Sequence, residues 1–89
     1  MASIYFPIAL QAMLPTHPLR LPADQVLEAW LMLLTEQHPA LLNVLWFGEQ
    51  LHPSLYLVLN QQQCSWQNIR QQQLRAEDQL WIIQPLSGG

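Results

Sequence analysis

The sequence predicts an α+β fold in which a mixed sheet of four or five strands packs on one main helix. Within residues 24–37, Leu27, Trp30, Leu31 and Leu34 fall at i, i+3, i+4 and i+7, the spacing of one helical face. Apolar runs of strand length, Leu55-Tyr-Leu-Val-Leu59 and Leu80-Trp-Ile-Ile83, follow that segment, and another apolar stretch precedes it. Short connections and the order β-β-α-β-β then favour a helix laid across one sheet face.

Residues 3–10 read as the first strand, with Ile4, Tyr5, Phe6 and Ile8 as β-compatible residues and an edge or bulge at Pro7. A turn containing Pro15 and Pro18 leads to Leu19–Leu21, a second strand expected to form a hairpin with the first. Asp24 is the expected helix N-cap, Glu28 suits the positive helix end, and Pro39 stops the helix after His38. Residues 41–46 suggest a second, shorter helix before Gly48. Pro53 and Asn60 bound the strand at 55–59, a weaker strand is expected at 66–70, and the last strand spans 79–84. The predicted core contains Leu27, Trp30, Leu31, Leu34, Leu57, Leu80 and Ile82.

At 89 residues the chain supports one compact core. Hydrophobic residues make up 51% and charged residues only 10%, against about 25% in an ordinary domain, so ion pairs carry little of the stability. The net charge is −3 and the only cations are Arg20, Arg70 and Arg75, which leaves no basic stripe for nucleic acid. Polar surface comes instead from glutamines, including 61–63 and 71–73, so partners are expected to be chosen by shape and apolar contact. Cys64 is the single cysteine, read as a solvated or half-buried thiol in a reducing, cytoplasmic setting. The longest apolar run, 29–34, is far short of the roughly 20 residues that span a bilayer, so a soluble protein without a membrane partner is expected.

The last strand is apolar at successive positions, whereas a sheet with one solvated face alternates. Leu80 and Ile82 are expected to face the helix while Trp81 and Ile83 face the other way, covered there by another protein. Phe6, Trp81 and Ile83 are therefore the predicted partner interface.

Two of the three glycines are the final residues, Gly88 and Gly89. At an average usage of about 7% per position, such a pair arises by chance at roughly 0.5%. Glycines lacking Cβ atoms let a backbone enter a narrow channel. Extended, residues 85–89 reach roughly 17 Å, at about 3.3–3.6 Å per residue. A terminal carboxylate is a poor acyl donor until activated, typically as a mixed anhydride with AMP. With no phosphate-binding loop or Walker lysine of its own, the chain is expected to be the substrate of a separate activating enzyme.

The segment Leu74-Arg-Ala-Glu-Asp-Gln-Leu-Trp-Ile-Ile-Gln-Pro-Leu-Ser-Gly-Gly89 resembles the ending of the MoaD/ThiS family of ubiquitin-like sulfur carriers. Asp78, Pro85, Gly88 and Gly89 match the family pattern, and Glu77 stands where glycine is usual. The strand at 55–60 is similar to the family's third strand, which ends in asparagine, and 4–10 to its first. Departures are Gln11 in place of a frequent arginine, Pro7 and Ile8 in place of an aromatic-alanine pair, and a longer 61–73 segment.

The resemblance implies a β-grasp domain over residues 1–84 and a flexible tail at 85–89. It implies that Gly89 is adenylated and converted to a thiocarboxylate, with Pro85, Leu86, Ser87 and Gly88 as the segment inserted into the partner. Length and helix look most like the small, non-catalytic subunit of molybdopterin synthase, serving molybdenum cofactor biosynthesis. The implied partners are an ATP-using activating enzyme of the MoeB/ThiF type and a large synthase subunit of the MoaE type. No cofactor or metal would be held by the carrier itself.

Thiamine or cysteine synthesis, a protein modifier joined through Gly89, and a non-catalytic interaction module are the alternatives. Because the chain contains no lysine, it cannot build side-chain-linked chains with itself, which favours a carrier. His17, His38 and His52 each adjoin a proline and lack the spacing of a metal site. Trp30 reads as core, Trp46 and Trp66 as partly exposed, and Asp78 as a turn-former rather than an acid catalyst.

Overall fold

The computed structural model describes residues 1–85. Its main sheet has five strands in the order β2-β1-β7-β5-β6, where β1 is Ala2–Tyr5, β2 Leu19–Leu21, β5 Tyr56–Leu59, β6 Gln62–Cys64 and β7 Gln79–Ile83. β1 pairs antiparallel with β2, as the hairpin reading requires, and parallel with β7 through Ser3↔Gln79, Ile4↔Leu80 and Tyr5↔Trp81. β5 runs antiparallel to β7, so the sheet is mixed and β7 lies at its centre. The main helix, α2 (Leu27–Gln37), buries Leu27, Leu31 and Leu34 in a core shared with Ile4, Leu57, Leu80 and Ile82. Trp30 is only half-buried and packs on the margin of this core.

The first strand is shorter than predicted. Pro7 has no N–H for a ladder and instead precedes a short helix, α1 (Ile8–Gln11), which buries Leu10. The main helix also begins three residues later than predicted, and Asp24 does not cap it: Val26 occupies the N-cap position without a side-chain bond. The first-turn donors are satisfied from a distant segment. Leu27 N–H donates to the Gln72 carbonyl at 2.9 Å and Glu28 N–H to that of Arg70 at 2.9 Å.

The strand expected at 66–70 is a helix, α4 (Trp66–Ile69), whose N-cap Ser65 accepts from Asn68 N–H. The strand pairing with β5 lies just before it. Asn60 and Gln61 hold φ of 50° and 72°, a two-residue left-handed turn that folds Gln62–Cys64 back on Leu57–Leu59.

After a 3₁₀ turn at Pro39–Leu41 comes α3 (Leu42–Leu45), close to the short helix predicted. A small hairpin follows, β3 (Trp46–Phe47) and β4 (Gln50–Leu51), turning at Gly48 and Glu49. Trp46 and Trp66 are both buried, against the expectation of partial exposure. Their rings meet edge-to-face at 5.7 Å, and the Trp46 indole N–H donates to Thr35 Oγ1 at 2.8 Å.

Gly48 has φ +65° and nothing within 4 Å of an added Cβ, so substitution there strains the backbone without a clash. Gly48→Ala is expected to lower stability by about 1 kcal/mol, the left-handed penalty of roughly 1–2 kcal/mol less the gain from stiffening the unfolded chain. Urea unfolding of the two proteins measures it.

Candidate functional site

The sequence-predicted site residues that the structure describes converge where β7 leaves the sheet. Along β7 burial alternates: Leu80 and Ile82 point into the core, while Trp81 and Ile83 are 44% and 39% exposed on the outer face. Strand registry gives each a neighbour on that face. Val58 lies opposite Trp81 and Tyr56 opposite Ile83. On the other side Tyr5 stacks on Trp81, with ring centroids 4.0 Å apart and planes 6° from parallel. Tyr5, Tyr56, Val58, Trp81 and Ile83 thus form a patch with no charged member, left uncovered by α2, which packs on the opposite face.

Phe6 does not belong to the exposed face. It is 3% exposed, its side chain joining the core. Its backbone is held on both sides, the N–H donating to His17 Nε2 at 2.8 Å and the carbonyl accepting from Gln11 Nε2 at 3.1 Å. The His17 ring also meets Tyr5 edge-on at 5.8 Å, so His17 is a positioning group for the end of β1.

The turn from Phe6 into α1 forms one wall of a groove of about 650 Å³. Phe6, Pro7, Ile8 and Gln11 line that wall, and Trp81, Ile83 and Pro85 line the facing one. Gln84 and Pro85, the last described residues, also line this groove. Leu86, Ser87, Gly88 and Gly89, the remaining predicted site residues, lie outside the described residues.

The start of β7 is fixed by a side-chain lock. Asp78 Oδ2 accepts from Arg75 N–H and Oδ1 from the Asn60 amide, both at 2.8 Å, while Gln79 N–H donates to Asn60 Oδ1 at 2.9 Å. Asp78 is therefore a turn-former with both oxygens engaged, as the sequence indicates. It is not a free acid.

Tyr5, Tyr56, Val58 and Gln11 were outside the predicted interface. Alternation within 55–59 was the available signal for Tyr56 and Val58, whereas the Tyr5–Trp81 stack depends on parallel pairing of the first and last strands. Cys64 is half-buried at the sheet edge, and burial pushes its thiol above the ordinary range, away from the thiolate form. Among the described residues no group of three His, Cys, Asp or Glu side chains is arranged to hold a metal ion. No helix among them is long and apolar enough to cross a membrane.

No protein-family model and no curated protein matches the chain in sequence. Among solved structures it is similar to SAMP1 from Haloferax volcanii, at 20% identity and a TM-score of 0.66, covering 99% of this chain and 98% of that one. It is also similar to the Haloferax volcanii HVO 2177 protein, at 15% identity and a TM-score of 0.70, covering 99% of this chain and 85% of that one. At these identities the likeness speaks for the fold, and it agrees with the five-stranded mixed sheet and crossing helix: the chain has the β-grasp, ubiquitin-like fold.

Proposed function

We propose that this chain is a carrier whose C-terminal carboxylate, on Gly89, is activated by a separate enzyme and used to deliver sulfur. The observation that carries the reading is the end of β7: the last described residues, Gln84 and Pro85, line a groove beside an exposed aromatic and aliphatic patch. The groove lining contains no charged side chain, so an enzyme docking there would be selected by apolar contact. The fold shared with SAMP1 and the HVO 2177 protein is compatible with this class.

In the proposed chemistry a carboxylate oxygen of Gly89 attacks the α-phosphorus of ATP and pyrophosphate leaves. A sulfide-level donor then adds to the acyl carbon; the C–S bond forms, the C–O bond to AMP breaks, and a thiocarboxylate results. All catalytic groups belong to the activating enzyme. This chain contributes the docking patch, the length of the tail and the small size of Gly88 and Gly89. We place it in molybdopterin formation, with a MoeB/ThiF-type activator and a MoaE-type large subunit, on the resemblance of residues 74–89 to the MoaD/ThiS ending. A modifier joined to other proteins through Gly89 is compatible with the same fold and shares the adenylation step.

Incubation with an activating enzyme, ATP and sulfide should give an intact-mass increase equal to one oxygen replaced by sulfur. Adducts to lysines of other proteins, with no sulfur gain, would replace the carrier by the modifier. Ile83→Asp should weaken binding of the large synthase-type subunit by more than about 1.4 kcal/mol, tenfold in affinity, because the new carboxylate is desolvated in the interface. Calorimetric titration measures this; unchanged affinity in a folded variant would sink the docking assignment.

A further inference from the structure

A second concave surface shares no residue with the groove at the end of β7. It is a cleft of about 420 Å³ between α2 and the β3–β4 hairpin, with Met32, Thr35, Leu42 and Trp46 among its lining residues. The floor is rigid. Thr35 Oγ1 donates to the Leu31 carbonyl at 2.9 Å and accepts from the Trp46 indole at 2.8 Å, both bonds buried.

Above this floor the surface is more apolar than a solvated helix face. Met32 and Leu42 are each 54% exposed. The charges around it are also unbalanced. Glu28 is paired with Arg70 at 2.8 Å, but Glu36 and Glu49 have no ion pair among the described residues. Three carboxylates, Glu28, Glu36 and Glu49, thus stand against the single guanidinium of Arg70, which also feels the charge of Glu49. This acidic surplus beside exposed apolar side chains disfavours an acidic occupant and attracts a basic one.

We propose that this cleft docks a short cationic, amphipathic helix of a partner protein. Its apolar residues pack on Met32, Leu42 and Trp46, and its Lys or Arg side chains meet Glu36 and Glu49. The mode follows from the walls: they are side chains of α2, α3 and a two-residue-per-strand hairpin, which offers too little edge for strand addition and leaves helix-in-groove packing. A second copy of this chain is not the occupant. Its three arginines are at 20, 70 and 75, and Arg70 already pairs with Glu28 in the cleft. The surface would let one partner hold the helix side while another takes the end of β7.

The test is titration of the ¹⁵N-labelled full chain with a synthetic Leu/Lys amphipathic helical peptide, and with a Leu/Glu peptide of the same length. Saturable amide shifts clustered at Met32, Glu36, Leu42, Gly48 and Glu49 are expected, with affinity falling as salt is raised. The double substitution Glu36→Lys and Glu49→Lys, both at exposed positions, should weaken binding by about tenfold or more. Met32→Ser keeps the charge and should weaken it several-fold, which separates seated packing from diffuse attraction. Four results would each overturn the proposal: no saturable binding, shifts centred on Trp81 and Ile83, equal affinity for the Leu/Glu peptide, or no effect of Met32→Ser.

Discussion

Deleting Gly89, or adding one residue after it, is expected to abolish sulfur acquisition while leaving the domain folded. Each change moves the terminal carboxylate by one residue, about 3.3–3.6 Å along an extended chain. Reaction requires the attacking and accepting atoms within roughly 3–3.5 Å, so a displacement of that size removes the carboxylate from the activating centre. Stability should be unchanged because, among the described residues, the buried cluster runs from Ala2 to Ile82. Gly88→Val should slow the reaction rather than abolish it, since a β-branched side chain both restricts the backbone and widens it. Intact mass after incubation with activator, ATP and sulfide gives the chemical readout, and a thermal melt the structural one. Sulfur gain by the extended chain would show that another group reacts.

The largest effect on the fold itself is expected from Leu80→Ala. Leu80 is fully buried on the central strand, paired with Ile4 on one side and Leu59 on the other. Truncation there leaves a cavity bounded by two strands whose positions are fixed by ladders, so little collapse can fill it. The expected cost is about 3–5 kcal/mol. Set against a total of about 5–15 kcal/mol for a natural domain, that brings the variant near its unfolding threshold. Ile83→Ala on the same strand, with its side chain on the outer face, should change stability by less than about 1 kcal/mol. Urea midpoints of the two variants test the contrast; comparable losses would mean that the two faces of β7 are not distinct.

That contrast was legible in the sequence because it depends on local periodicity. Leu27, Leu31 and Leu34 had to share a helix face, and Leu80 and Ile82 had to share a strand face, whatever surrounded them. The largest differences arise where partners remote in sequence decide the local structure. Asp24 has the right chemistry for a cap, but backbone carbonyls of Arg70 and Gln72 reach the helix start first. Trp66 has β-forming character, yet Ser65 caps a helix there because the left-handed turn at Asn60 and Gln61 has already paired β5 with Gln62–Cys64. Phe6, expected at the interface, packs into the core and also lines the groove beside Trp81 and Ile83. For the site, Trp81 and Ile83 followed from alternation alone. Tyr5 required knowing that β1 lies beside β7 in parallel, which no short-range pattern carries.

The parallel pairing of β1 with β7 makes the ends of the described chain interdependent. Tyr5 and Trp81, which build the outer patch together, are separated by almost the whole sequence and meet only when the last strand inserts between β1 and β5. Such distant closure is slow to form and brings many contacts into register at once. A chain halted before β7, or one with that strand detached, would expose two unpaired strand edges and no aromatic stack. If the proposed activating enzyme recognises the stack, it checks the integrity of its substrate, and only a completely folded chain is admitted to activation.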